Sequence, residues 1–202
     1  MEQPNLSLCS AALWRASAQE YAKLRSLTFA ALMVAIIVAI GSIYIPIPGA
    51  LNLRVYFSYL AQAVGGAIYG PLVGAGVGLL SDLIGNTLFP SGPFFFGYTL
   101  TAILGNFLYG AFFYRRRITI LRIFCCKLVI NLFVNVGLGC LWSTILYGQG
   151  TYFYYATKSI VKNLLMLPIE VLLISLLFAA LAPILKRYNV QVSKRKHLIS
   201  WK

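Results

Sequence analysis

The sequence predicts an all-α membrane protein with six transmembrane helices in one bundle and both termini in the cytoplasm. Of its 202 residues, 60% are hydrophobic and only 10% are charged, whereas a soluble domain carries about 25% charged residues. The mean hydropathy is +0.81, and the apolar residues form runs separated by Pro, Gly and basic clusters. Because a soluble fold of this length could not cover so much apolar surface, lipid is its expected solvent.

The chain divides into three predicted regions. Residues 1–25 form a cytoplasmic N-terminal segment, whose loosely amphipathic stretch 8–24 suggests a short interfacial helix. Residues 26–187 form the six-helix transmembrane domain, and residues 188–202 form a basic cytoplasmic tail. No small-residue cleavage site follows the first apolar run, so this run is expected to remain as the first transmembrane helix.

Proline, glycine and basic residues limit the predicted spans. Pro46 and Pro48 end the first span, Gly70-Pro71 forms a tight turn between the second and the third, and a run of three arginines closes the fourth. The six spans cover approximately residues 26–44, 56–69, 72–88, 98–114, 118–146 and 156–185. The second and third are short for a bilayer core about 30 Å thick, and their small residues favour close helix contacts.

Basic residues set the predicted orientation. With six spans the two termini share a side, and most of the chain's 17 Lys and Arg fall on it: Arg15, Lys23, Arg25, Arg115, Arg116, Arg117, Arg122 and the tail cations. The opposite side holds Arg54, with Lys158 and Lys162 just inside the sixth span. This asymmetry places both termini in the cytoplasm. It also argues against nucleic-acid binding, because the net charge of +13 is confined to these clusters.

Polar side chains inside the predicted spans are costly in lipid, so they are expected to bind a ligand or to pair with one another. They are Asp82 and Asn86 on span three, Lys127, Asn131 and Asn135 on span five, and Lys158, Lys162, Asn163 and Glu170 on span six. Asp82 or Glu170 could pair with Lys127, and the asparagines could join helices by hydrogen bonds. Pairing rather than ligand binding is favoured for Lys127 and Glu170, which lie deepest or nearest the cytoplasm.

Three cations on the outer side favour an anionic ligand. Arg54, Lys158 and Lys162 have at most one nearby acid, Asp82, so a ligand would supply the missing charge. The alternative is that these side chains snorkel to the membrane interface, as lysines near helix ends commonly do.

Aromatic residues gather at the same outer level, among them Phe94, Tyr98 and Trp142. They fit either an aromatic belt at the membrane interface or a stacking site for a flat heteroaromatic ring. Together with the amides and cations, they suit a small molecule with a planar polar ring and one or more carboxylates.

A stripe of small residues, Ala31, Ala35 and Ala39, runs along span one at four-residue intervals. Such a stripe allows close helix contact, either inside the bundle or with a partner protein.

No Walker-type phosphate loop is present, and the four cysteines lack the spacing of a metal site. The sequence therefore predicts no metal and no cofactor in this chain.

Three stretches resemble the substrate-binding S components of energy-coupling factor (ECF) vitamin transporters, and among these the folate-type family. They are GAGVGLLSDLIGNTLFPSGPFFFGYTLTAILGNFLYG, ITILRIFCCKLVINLFVNVGLGCLWSTILYGQG and KSIVKNLLMLPIEVLL. The resemblance covers residues 27–187. One departure is Phe96, where relatives often carry proline. The resemblance implies a six-helix cell-membrane protein that binds a vitamin at the outer face. It also implies association with a transmembrane coupling subunit and two cytoplasmic ATPases, the coupling subunit meeting the alanine stripe.

Applied to folate, the resemblance suggests roles for the candidate residues. Hydrogen bonds to the pterin edge are assigned to Asp82, Asn86, Asn131 and Asn135, ring packing to Phe94, Tyr98 and Trp142, and carboxylate binding to Arg54, Lys158 and Lys162. Asn163 lies beside the last of these and is included in the predicted substrate site. Charge-assisted hydrogen bonds would make the carboxylate contacts the strongest.

Other functions remain open at this stage. A pantothenate-type S component has a similar stretch after span three, and another vitamin is also compatible. A self-sufficient secondary transporter would usually need more spans or an inverted repeat, which is not evident here. An enzyme is disfavoured, because His197 is the single histidine and lies in the basic tail, and no acid–base constellation is evident.

Overall fold

The computed structural model describes residues 11–46, 54–90, 92–147 and 152–185. Their helices are α1 (Ala11–Tyr21), α2 (Leu24–Gly41), α3 (Tyr59–Leu88), α4 (Phe96–Phe113), α5 (Ile120–Val129), α6 (Gly139–Tyr147) and α7 (Tyr152–Leu185). A π-helical segment, Ile130–Leu138, joins α5 to α6. Two three-residue strands, β1 (Tyr44–Pro46) and β2 (Arg54–Tyr56), pair antiparallel between α2 and α3.

Five helices of the described chain are long and apolar enough to cross a membrane: Leu24–Gly41, Tyr59–Leu88, Phe96–Phe113, Ile120–Leu146 and Tyr152–Leu185. This confirms the helical membrane class. The short β1–β2 ribbon was not expected, and the first apolar helix ends at Gly41 because the next residues leave helical geometry for this ribbon.

Helix α3 contains the turn predicted at Gly70-Pro71. Gly70 has φ 86° and ψ −175°, which is outside the helical region, and glycine adopts such a conformation without a Cβ penalty. We call residues 59–69 the first leg and residues 71–88 the second leg of α3. The Oγ of Ser17 on α1 lies at this turn, accepting a hydrogen bond from the Leu72 N–H at 3.2 Å and donating one to the Tyr69 carbonyl at 3.3 Å.

The two legs run in opposite directions along α2. On the first leg, Gly65 neighbours Met33 and Tyr69 neighbours Phe29. On the second leg, Gly76 neighbours Tyr21, which ends α1 just before α2 begins, and Gly85 neighbours Val38. Residue numbers therefore rise along the first leg as they fall along α2, and rise together with α2 along the second leg. The chain reverses at Gly70, so α3 is a helical hairpin rather than one straight rod.

Glycines bring α4 against both legs of α3. A Cβ at Gly66 would lie 2.7 Å from the Gly110 nitrogen, and one at Gly78 would lie 2.5 Å from the Ala102 carbonyl oxygen. These backbone contacts leave no room for a larger side chain, which explains the abundance of small residues in this part of the sequence.

The fifth predicted span is continuous but changes its winding. Hydrogen bonds from residue i+5 to residue i, such as Gly139 N–H to the Val134 carbonyl, define the π segment. Such segments are rare and often occur at functional sites. Here the wider winding carries Asn131 and Asn135, two of the candidate residues.

The alanine stripe lies on the outside of the bundle. Ala31, Ala35 and Ala39 are exposed, whereas Met33 and Ile37 on the opposite face of α2 are buried in the core. In the described part of the chain this stripe is therefore not an internal packing seam.

Candidate functional site

A cavity of about 470 Å³ lies among both legs of α3, α4, the π segment, α6 and α7. Its volume falls within the range of small-molecule sites. Glycine contacts hold α3 and α4 together behind it, and the reversal at Gly70 brings residues from both legs of α3 to the same cavity. Its wall contains both polar and apolar side chains.

Most of the predicted site residues meet at this cavity: Asp82, Asn86, Tyr98, Asn135, Lys158, Lys162 and Asn163 all line it. They come from four separate helical elements, so the structure brings together groups that are up to 81 positions apart in sequence (82 to 163).

Asp82 and its neighbours form the wall between α3 and α4. The Asp82 Oδ2 accepts a hydrogen bond of 2.7 Å from the Thr99 hydroxyl, and the Asn86 side-chain amide donates to the Asp82 main-chain oxygen at 2.9 Å. These bonds fix the carboxylate and the amide on one face, as the four-residue spacing predicts.

Lysines of α7 form another wall. Lys158 Nζ lies 2.6 Å from the Tyr154 hydroxyl oxygen, to which it donates, and 4.2 Å from the centre of the Tyr154 ring. Lys162 lies one turn further along the helix and also lines the cavity. Both cations therefore stand where an anionic group of a ligand could reach them.

The buried ion pair expected between Lys127 and Glu170 is present at the cavity. Lys127 Nζ lies 3.0 Å from Glu170 Oε2, and the Lys127 side chain is 2% exposed. The same ammonium stands 4.6 Å from the centre of the Tyr59 ring, a cation–π contact. Both charged residues line the cavity, so they form part of its wall as well as of the core.

Two asparagines extend this pair along the π segment. The Asn131 amide nitrogen donates to Glu170 Oε2 at 2.8 Å, and the Asn135 amide nitrogen donates to Asn131 Oδ1 at 3.1 Å. Asn131 is buried behind the cavity wall, whereas Asn135 faces the cavity.

The remaining predicted residues lie elsewhere. Phe94 is 56% exposed, and it is Phe95 that packs on Trp142, with ring centres 5.8 Å apart. Trp142 stands behind the cavity and donates its indole N–H to the hydroxyl of Thr101, which lines it. Arg54 belongs to β2, and its side chain lies outside the described part of the structure.

Sequence reasoning missed several cavity residues, two of them on the first leg of α3. Tyr59 and Gln62 line the cavity, and the buried Tyr59 hydroxyl has no hydrogen-bond partner among the described residues. Gln62 is a polar residue within an apolar run and could have been noticed by that signal. Tyr59 looks like any interfacial aromatic residue, and only the fold shows that it faces inward.

The described residues contain no group of three or more His, Cys, Asp or Glu close enough to hold a metal ion. Three lysines and two acids of the described chain line the cavity, and one of these acids, Glu170, is engaged by Lys127. The cavity therefore carries hydrogen-bonding groups, aromatic rings and an excess of positive charge.

Comparisons with known proteins identify the family of this chain. The family model described as the S component of the ECF-type riboflavin transporter matches residues 22–187. The folate transporter FolT of Clostridium novyi (strain NT) is 34% identical over 122 residues, which are 60% of this chain and 70% of that protein. The folate transporter FolT of Leuconostoc mesenteroides subsp. mesenteroides is 29% identical over 124 residues, which are 59% of this chain and 67% of that protein.

A solved structure shares the fold. A crystal structure of FolT bound with folic acid matches with a TM-score of 0.67 and 25% sequence identity, over 74% of this chain and 88% of that chain. The family consists of transporter components rather than enzymes. With several helices long and apolar enough to cross a membrane, this chain is a multi-pass protein of the cell membrane. The chain belongs to the family of ECF-type transporter S components.

Proposed function

We propose that this protein is the folate-binding S component of an ECF-type uptake transporter. The observation that carries the proposal is one cavity that joins the Asp82–Asn86 wall to the lysines of α7. Folate combines a flat ring rich in hydrogen-bond donors and acceptors with carboxylates. The ring matches the Asp82–Asn86 wall, and the carboxylates match the lysines of α7. The relatives named as folate transporters support the same ligand.

The proposed roles follow the residues' positions. Asp82, Asn86 and Asn135 hydrogen-bond the pterin edge, while Tyr98 contacts its ring. Lys158 and Lys162, with Arg54 and Asn163 as further candidates, hold the carboxylates. Asn131, Trp142 and Phe94 do not line the cavity of the described structure; we assign Asn131 and Trp142 the support of residues that do.

The two legs of α3 support six membrane crossings. Counted separately, they join α2, α4, the continuous α5–π–α6 element and α7 to give an even number, so the termini share a side. The excess of Lys and Arg near the termini and after α4 places that side in the cytoplasm. The cavity then opens towards the outside, where a scarce vitamin would be captured.

Transport requires a separate energy source, since this chain carries no phosphate loop. We propose that a transmembrane coupling subunit and two cytoplasmic ATPases supply it, and that the exposed alanine stripe on α2 receives the coupling subunit. Small residues on an outer helix face allow close approach of a partner helix.

Other vitamins are the alternatives that the experiment must separate. Riboflavin, which the family model's description names, has no carboxylate, whereas pantothenate has a carboxylate but no aromatic ring. Only folate uses both walls of the cavity. A self-sufficient secondary transporter would bind its substrate but would also move it across a membrane without partners.

The test is binding by the purified protein in detergent, without any partner. Folate, riboflavin and pantothenate are titrated separately, with tryptophan fluorescence and calorimetry as readouts. We expect folate to bind one-to-one and the other two to bind at least a hundredfold more weakly.

Charge variants sharpen the result. Replacing Lys158 and Lys162 together by Met should weaken folate binding on the order of a hundredfold, because two charge-assisted hydrogen bonds are lost. Lys23→Met, a lysine before α2, is the matched control and should leave binding unchanged. Tight riboflavin binding with no effect of the lysine variants would overturn the choice of vitamin, and folate uptake into liposomes by the chain alone would overturn the S-component role.

A further inference from the structure

A line of four side chains leads from the buried core to the cavity wall. Lys127 Nζ lies 3.0 Å from Glu170 Oε2, Asn131 donates to that same oxygen at 2.8 Å, and Asn135 donates to Asn131 Oδ1 at 3.1 Å. Lys127, Glu170 and Asn131 are buried, whereas Asn135 is exposed. Of the four residues, Lys127, Glu170 and Asn135 line the cavity and Asn131 lies behind its wall. We call these four side chains the relay.

The relay has a fixed direction. A side-chain amide can usually lie in either of two orientations that exchange its oxygen and its nitrogen. An ionised carboxylate only accepts hydrogen bonds, so Asn131 must turn its NH₂ group to Glu170. The main-chain oxygen of Asn163, 3.5 Å from the same nitrogen, favours the same orientation.

The consequence reaches the cavity. Because the Asn131 NH₂ group donates to Glu170, the side-chain oxygen of Asn131 faces Asn135. Asn135 must therefore donate to it with its own NH₂ group. The carbonyl oxygen of Asn135 is then left for whatever occupies the cavity, which Asn135 lines. Water cannot hydrogen-bond the Asn131 side-chain amide and so cannot stabilise its other orientation, since Asn131 is only 1% exposed.

We propose that the Lys127–Glu170 ion pair is a positioning device that orients the Asn135 amide, so that this residue selects ligands with a hydrogen-bond donor on their ring edge. The ion pair acts on Asn135 through Asn131, in addition to forming part of the cavity wall. The Lys127 ammonium pairs with the Glu170 carboxylate, and this carboxylate accepts the hydrogen bond from Asn131, which keeps the relay in one direction. The identity of the ligand rests on the proposed function; for folate, the donor is the exocyclic amino group of the pterin.

The direction of the relay can be tested without any ligand. Asn135→Asp places a carboxylate against Asn131 Oδ1, which cannot turn away while Glu170 holds its NH₂ group. Lys127 and Asn131 contact the same Glu170 oxygen, so the amide of Glu170→Gln has to rotate to turn its oxygen towards Lys127 and its NH₂ group towards Asn131 Oδ1. In that orientation Asn131 is free to turn. The relay therefore predicts that Asn135→Asp lowers the melting temperature in the wild-type background by about 3 °C or more and lowers it less in the Glu170→Gln background.

The measurement is thermal unfolding of the four proteins in detergent at pH 8, where a carboxyl at this cavity-exposed position is ionised. Asn86→Asp, on the facing wall and outside the relay, is the control and should cost the same in both backgrounds. An equal cost of Asn135→Asp in the two backgrounds would show that the relay does not orient Asn135 and would overturn the proposal.

A pair of ligands tests the selectivity. Folic acid should bind the wild type on the order of tenfold more tightly than 2-desamino-2-methylfolic acid, and Glu170→Gln should shrink this ratio. Met166→Leu, which alters the cavity wall outside the relay, should change both affinities by a similar factor. An unchanged ratio in Glu170→Gln contradicts the proposal. If the wild type bound no folate, the proposed vitamin would fail, while the unfolding experiment would still decide the relay.

Discussion

At the residue scale, Lys127 and Glu170 show what a charge inside the bundle requires. The Lys127 side chain is 2% exposed and lies 3.0 Å from Glu170 Oε2. Removing one partner of such a pair leaves a buried charge without its counter-ion. The pair is thus both a structural requirement and part of the binding cavity.

Lys127→Met is expected to destabilise the protein strongly. The loss should be about 3 kcal/mol or more, because Glu170 would stay buried without its counter-ion. Combining it with Glu170→Gln removes the stranded charge, so the double variant should unfold at a higher temperature than Lys127→Met alone. Thermal unfolding in detergent without ligand measures both values. Equal melting temperatures would mean that the two residues are not coupled.

Glu20, outside the membrane-spanning helices, makes stability depend on pH. Burial alone would raise the pKa of Glu20, but hydrogen bonds from Lys23 and Ser26 and the nearby positive charges outweigh it, and its pKa lies below the ordinary 4.5. The Lys23 and Ser26 contacts measure 2.7 Å and 2.6 Å. A carboxyl with a lowered folded-state pKa stabilises the fold above its unfolded-state value and loses this contribution as the pH falls through the folded-state value.

Glu20→Gln should therefore flatten the acid side of the stability profile. As the pH falls from about 5.5 through 4.5 and below, the melting temperature of the wild type is expected to decrease more than that of the variant. Other carboxyls titrate in both proteins, so the difference between the two curves isolates Glu20. Parallel curves over this range would show that Glu20 contributes nothing to the pH dependence.

At the element scale, Gly70 decides that α3 is a hairpin. Its φ of 86° lies where a side chain is strained, and a Cβ would stand 2.8 Å from Ser17 Oγ and 2.9 Å from a ring carbon of Tyr114. Without the reversal, the first leg of α3 could not place Tyr59 and Gln62 at the same cavity as Asp82.

Gly70→Ala should lower stability by about 2 kcal/mol, from backbone strain and crowding together. Gly105→Ala is the control, because an added Cβ there meets no atom within 4 Å. Alanine also has a higher helix propensity than glycine. Ligand-free unfolding should show a lower melting temperature for the first variant and an equal or higher one for the second. A stable Gly70→Ala protein would contradict the proposed constraint at the turn.

The helical elements differ in how readily the sequence reveals them. Long apolar runs predicted α2, α4 and α7, because lipid demands apolar side chains along a whole helix. The Gly70-Pro71 turn was predicted from its dipeptide. The π segment and the β1–β2 ribbon were not, because neither winding nor short strand pairing leaves a distinctive pattern in apolar residues.

At the scale of the whole molecule, the proposed contact between the exposed alanine stripe and a coupling subunit predicts that transport can be lost while ligand binding is kept. A large side chain there should block a partner helix without reaching the cavity. Ala35→Trp is expected to lower folate uptake at least tenfold in liposomes that contain the complete transporter, while folate binding by the isolated protein stays the same. Ala180→Trp on the exposed face of α7 is the matched control and should leave both unchanged. A comparable loss of binding in Ala35→Trp would place its effect in the fold rather than at the partner.

By itself, the sequence determined the solvent of this protein, most of its helices and which polar residues were out of place in lipid. These features follow from composition and from the order of residues along the chain, because the free-energy cost of placing a side chain in lipid depends mainly on that side chain. From the cost of unpaired charge it predicted that Lys127 pairs with Asp82 or Glu170, and the structure shows that the partner is Glu170. Only the tertiary structure decided that Phe95 rather than Phe94 packs on Trp142, that the alanine stripe faces outward, and that Tyr59 and Gln62 share a cavity with Lys158. Those outcomes depend on how helices rotate and reverse against one another, which packing between distant residues settles.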